Sequence, residues 1–215
     1  AMQVGEKTVQ NYLLETTNPG GHSSVPRPDN AIYSLTAAVN KVGQFEFPIQ
    51  LTDTTKTFFK RTAELTGGEM GKAMNALLAN PNDKAADAIV SKDATFHSTL
   101  RTTCVATMLD AGHAMNALPQ RARAVVNCRI FPGVSVDSVK AELDRVIGDP
   151  SVSVTKIEPI RPVAVPPPIP STISPSDRPK AASNRPPCLT LPAIWIGMVP
   201  RERPMPYSAS RISPA

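Results

Sequence analysis

The apolar positions along residues 1–158 recur with two spacings, and each switch between them marks a change of element. Thr8 to Thr17 (TVQNYLLETT) mixes β-branched, aromatic and leucine residues in partial alternation, which predicts a strand. The turn-rich NPGGHSSVPRP follows. In PDNAIYSLTAAVNKVG, Ile32, Leu35, Val39 and Val42 fall on one face of a helix, with Gly43 as a stop. Residues 52–92 carry three short helical patterns. These are TDTTKTFFKRTAEL before Gly67-Gly68, MGKAMNALLA before Asn80-Pro81, and DKAADAIVS. They read as a helical insertion.

Two further strands follow, at Thr99 to Leu109 (TLRTTCVATML) and Arg121 to Phe131 (RARAVVNCRIF), separated by a loop at Asp110 to Pro119. Ser135 is placed to cap a helix whose stripe is Val136, Val139, Leu143, Val146 and Ile147. Ser151 to Ile157 alternates again and completes the series. The order β-α-(helical insertion)-β-β-α-β predicts an α+β fold of the ferredoxin-like, split βαβ kind. That is a four-stranded antiparallel sheet with two helices packed on one face, spanning residues 1–158.

From Pro159 the periodicity stops. Of 23 prolines, 8 precede residue 159 and 15 follow from it. Residues 1–158 hold 16 basic and 16 acidic side chains, whereas residues 159–215 hold 7 and 2. The net charge of +5 therefore belongs to a basic, proline-rich tail, which is expected to be disordered. A wrong frame of GC-rich DNA spells Pro, Arg, Ala and Ser, so a truncated or frame-shifted product is one expectation. A neutral folded region with such a tail does not make a basic recognition face, and nucleic acid is not expected as a partner.

No apolar stretch approaches a membrane span of about 20 residues. The opening AMQVGEKTVQ has no apolar signal core, so either the protein is not exported, with a cytoplasmic default, or its true start is missing, and the compartment stays open. Cys104, Cys128 and Cys188 form no CxxC pair. The first two lie in apolar strand-like runs and are expected as buried thiols.

Two loops carry candidate chemistry. Gly20-Gly21-His22-Ser23-Ser24 lets a histidine project from a tight turn, although a turn histidine without a role fits the same residues. Gly112 to Pro119 (GHAMNALP) holds Asn116, and thirteen residues on Arg129 stands in a strand that otherwise reads apolar. Arginine suits a two-pronged grip on a carboxylate, and asparagine both donates and accepts. A hairpin connection followed by a surface arginine is the plainer reading.

GGHSS after a strand, followed in order by GHAMNALPQRARAVVNCRIFPG, resembles the lid, or dimerisation, domain of the zinc metallopeptidase family of aminoacylase, carboxypeptidase G and succinyl-diaminopimelate desuccinylase. The resemblance covers about residues 1–165. It implies a lid inserted into a catalytic domain that holds two zinc ions and hydrolyses amide bonds of peptides and N-acyl amino acids. It also implies a homodimer formed through the lid sheet and helices. By the same resemblance, His22 stabilises an oxyanion, often in the partner subunit's site. Asn116 helps bind substrate and Arg129 grips a substrate carboxylate. His113 is expected to be structural.

The chain departs from that family in having no HxD motif and no Glu-Glu pair, and its histidines are only His22, His97 and His113. No zinc ligand set and no general-base glutamate can be assembled from it. The expectation is a chain that binds no metal, is inactive alone, and lends residues to a catalytic domain. The alternative is a free-standing protein-interaction module. An independent metal-binding protein is weaker, because the histidines and cysteines lack ligand spacing.

Overall fold

A computed structural model describes residues 6–161 and 163. Its elements in order are β1 (Thr8–Thr17), β2 (Gly21–His22), α1 (Ala31–Gln44), α2 (Asp53–Thr66), α3 (Gly68–Ala79), α4 (Lys84–Val90) and α5 (Ala94–Leu100). The second half follows as β3 (Thr103–Ala111), β4 (Ala117–Leu118), β5 (Arg121–Ile130), α6 (Val136–Ile147) and β6 (Val152–Arg161). The main sheet is antiparallel with strand order β3-β5-β1-β6, and β2 and β4 pair separately. This is the expected split βαβ arrangement.

Alternation sets the two faces of the sheet. In β1, Thr8, Gln10, Tyr12, Leu14 and Thr16 are buried. In β5, Ala122, Ala124, Val126, Cys128 and Ile130 are buried. Helices α1 and α6 cover that face through Ala31, Leu35, Ala38 and Val42 on one and Val139, Leu143 and Ile147 on the other. Tyr12 ties the layers together, its hydroxyl donating to the Val136 carbonyl at 2.8 Å. Burial raises the Tyr12 pKa, with the Asp137 charge adding to the effect. The opposite, open face holds the other half of each strand, including the Asn127–Asn11 hydrogen bond at 2.7 Å and the Glu15–Arg123 ion pair.

The insertion has a core of its own. Phe59, Ala63, Met74, Leu77, Val90 and Leu100 form its centre, with Phe58 and Phe96 packed against it. Its helices start on side-chain caps, at Thr52 for α2, Asp83 for α4 and Asp93 for α5. Arg101 pins it. Its side chain is 3% exposed and pairs with Asp87, and with Glu46 at 3.1 Å.

The structure corrects the sequence reading at three points. Helix α5 was not expected, and the strand expected from Thr99 starts at Thr103. Asp93 accepts from the amides of Thr95 and Phe96, and Leu100 is buried in the insertion core. Packing there overrides the strand propensity of a threonine-rich run. Second, Cys104 and Cys128 are not free thiols but a disulfide, S–S 2.02 Å. Register explains it: they are direct partners across β3 and β5, with Cα atoms 4.1 Å apart. Third, β6 continues past Ile157 to Arg161. The expected disorder of the proline-rich tail, and Cys188, lie outside the described residues.

Candidate functional site

The two loops singled out by sequence meet. β1 ends at Thr17 opposite Arg121, and the Asn18 amide donates to the Gln120 carbonyl at 2.9 Å. Just beyond that end, Gly21 pairs with Leu118 and His22 with Ala117. The Ser23 amide then donates to the Asn116 carbonyl at 2.9 Å. Residues nearly a hundred positions apart are thus held as a two-strand clip at one end of the main sheet.

Glycine is required at the entry to the clip. Gly20 has φ +78°, and a Cβ there would stand 2.7 Å from the Gln120 side chain. Asn18 braces the same turn, accepting from the Gly20 amide and donating to Asp29, each at 2.9 Å. Arg27 closes the loop on Asp29, and its hydrogen bond holds that carboxyl down to about 2.

The tautomer of His22 follows from its neighbours. Its Nδ1 lies 2.8 Å from the Ser24 hydroxyl and 3.2 Å from the Ser24 amide nitrogen. A backbone amide can only donate, so Nδ1 accepts and the neutral ring carries its proton on Nε2. His22 is exposed and presents Nε2–H as a donor. Asn116 is exposed at the other side of the clip.

Arg129 is elsewhere. It stands on the open face of β5, opposite Val9 of β1 and Thr103 of β3, at the far end of the sheet. It lies eight residue steps along β5 from Arg121 at the clip end, roughly 26 Å at about 3.3 Å per residue. One protomer therefore brings His22 and Asn116 together and keeps Arg129 apart.

Beside Arg129 is a residue that the sequence did not single out. The Lys7 ammonium donates to the carbonyls of Ser98 and Arg101 at the end of α5. Burial first, then the charges of Arg129 and Arg101, lower its pKa to about 8. No spacing signal could have revealed it, since it depends on where α5 docks. His97 in α5 is half-buried, and burial and Arg101 lower its pKa. His113 is exposed and outside the clip pairing. Among the described residues no group of three His, Cys, Asp or Glu side chains is placed to hold a metal ion. No described helix is long and apolar enough to cross a membrane.

Residues 73–155 match the family described as the peptidase dimerisation domain of the M20 type. The chain carries an M20 peptidase dimerisation domain. Asn116 and Arg129 fall within the matched residues, and His22 lies before them. The domain is 31% identical over 175 residues to a probable carboxypeptidase S-like protein of Dictyostelium discoideum, covering 80% of this chain and 32% of that protein. It is 29% identical over 167 residues to the human N-fatty-acyl-amino acid synthase/hydrolase PM20D1, covering 76% and 32%. The M20 family metallo-carboxypeptidase Sso-CP2 of Sulfolobus solfataricus superposes with a TM-score of 0.45 at 15% identity, covering 71% of this chain and 43% of that one. The chain spans about a third of the length of the curated relatives it matches. The matched family is described by its role in dimerisation.

Proposed function

We propose that the dimerisation domain is the lid of a zinc-dependent exopeptidase or N-acyl-amino-acid amidohydrolase. In this reading it supplies His22, Asn116 and Arg129 to a catalytic domain that holds the metal ions. The observation that carries the proposal is the β2–β4 clip. It pairs the backbone of His22, whose ring offers an Nε2–H donor, with that of Ala117, next in the chain to the exposed Asn116, and it does so away from Arg129.

The separation acquires a meaning in a two-fold dimer built on the β3 edge of the sheet. β3 is one of the two outer strands of the main sheet, with Val105 61%, Met108 68% and Leu109 58% exposed. Two copies of β3 pairing antiparallel about a two-fold axis join the sheets and reverse one against the other. The Arg129 end of one protomer then shares an edge of the joined sheet with the His22–Asn116 end of its partner. A substrate bridging them is gripped by its carboxylate at Arg129 of one copy. Its scissile carbonyl lies near His22 and Asn116 of the other.

The chemistry assigned to each residue follows from its form. Nε2–H of His22 donates to the oxygen that gains charge as the carbonyl turns tetrahedral, a contribution of about 3–4 kcal/mol for a well-aimed donor. Asn116 orients the amide, and Arg129 holds the carboxylate with paired N–H donors. The class of substrate is a peptide or N-acyl amino acid with a free carboxylate. The dimerisation-domain match favours this lid over a free-standing interaction module.

The test is complementation. Adding the chain to a lid-less catalytic domain of the same family should raise hydrolysis of an N-acyl amino acid, and His22→Ala chain should fail to do so. Equal stimulation by both chains would remove His22 from the mechanism.

A further inference from the structure

We propose that Lys7 is a second cation of the carboxylate site at Arg129, so that the site closes on its ligand from two sides. This rests on the reading of Arg129 given above and adds a residue to it. Alternation along the start of β1 puts Lys7 on the open face with Val9, and Val9 is the direct partner of Arg129. Lys7 is therefore diagonal to Arg129 on adjacent strands, within reach for long side chains.

Position alone would allow a purely structural lysine, and charge argues further. An ammonium has three donors. Two are spent on the Ser98 and Arg101 carbonyls, which aim the group and leave one. Asp87 and Glu46, two carboxylates of this region, are both engaged by Arg101. Among the described residues Arg129 has no carboxylate within ion-pair distance. Among the described residues no ion pair joins Lys7 or Arg129 to a carboxylate, and the lowered proton affinity of Lys7 reflects its burial and the nearby charges of Arg129 and Arg101. His97, within the influence of both Arg101 and Lys7, supplies no negative charge. A ligand carboxylate would relieve both the repulsion and the missing hydrogen bond.

The experiment follows the Lys7 Cε–Hε and Arg129 Nε–Hε signals of the isotopically labelled chain by NMR. The probe is N-acetylglycine, with N-acetylglycinamide as the uncharged control. N-acetylglycine alone should move both signals and raise the Lys7 titration midpoint from about 8. Lys7→Gln should weaken binding roughly tenfold, and Lys7→Arg should bind within about threefold of the parent. Should the probe move Arg129 while the Lys7 signal and midpoint stay put, or should Lys7→Gln bind as the parent does, the Lys7 assignment is wrong and the Arg129 reading survives. No movement of either signal removes both. If Lys7→Gln does not fold, the parent's midpoint decides the matter.

Discussion

The amide of Ser23 donates to the carbonyl of Asn116 at 2.9 Å, closing the clip that makes His22 and Ala117 direct partners. Through that bond a loop before the first helix and a loop between the second and third long strands act as one unit. In the role proposed for His22 this fixing matters, because an oxyanion donor misplaced by about 1 Å loses much of its effect.

The clip is expected to depend on Gly20. Gly20→Ala forces a side chain into φ +78° and towards Gln120, a strain of about 1–2 kcal/mol. The prediction is faster hydrogen exchange at the Ser23 amide with little change at Tyr12 in the core. Unchanged exchange at Ser23 would show that the clip does not rely on the turn.

The β3 edge is expected to be the dimer contact. Met108→Lys places a charge on β3 without touching the buried face, since Met108 stands opposite Val125 on the open side. Light scattering should report the mass of a dimer for the parent chain and of a monomer for the variant. A variant that stays dimeric would move the interface elsewhere, to the helices or the opposite edge.

Two carboxylates on the same arginine should differ sharply. Asp87 is partly buried, and although burial works against its charged form, hydrogen bonds from Ser91 and Arg101 hold its pKa below the usual value. Asp87→Ala leaves Arg101 buried beside only an exposed partner and should cost about 3–5 kcal/mol in urea denaturation. Glu46 is 64% exposed, and Glu46→Gln should cost at most about 1 kcal/mol. Comparable losses would contradict this division of roles.

Much of this architecture could be read from the chain, and the exceptions share a cause. β1, β5, α1 and α6 each bury one regular set of positions, so their alternation and helical stripes were visible in the sequence. β2 and β4 are two residues each, too short to carry a period, so both loops were legible as candidates but their meeting was not. The Cys104–Cys128 bond needed the β3–β5 register, and α5 needed the insertion core. Lys7 owes its environment to α5, so it was hidden by the same omission.

Lys7 should leave a signature in stability against pH. Its folded pKa of about 8 lies below the unfolded value of 10.5, so between those values the unfolded chain binds more protons. Stability attributable to Lys7 therefore rises with pH across that window and is level on either side. Lys7→Met should remove that rise, seen as a flatter profile of the urea midpoint from pH 8 to 10.5. A parent profile already flat there would place the ammonium in water.

The central claim is that one active site draws His22 and Asn116 from one copy and Arg129 from the other. The direct measurement mixes His22→Ala and Arg129→Gln chains, each assembled with the catalytic domain, and assays hydrolysis of an N-acyl amino acid. Each variant alone should be nearly inactive. Random mixing makes about half the dimers mixed, each with one intact site of two, so activity should return to about a quarter of the parent level. No recovery from dimers shown by mass to be mixed would mean that the three residues serve one site from one chain, contradicting the account.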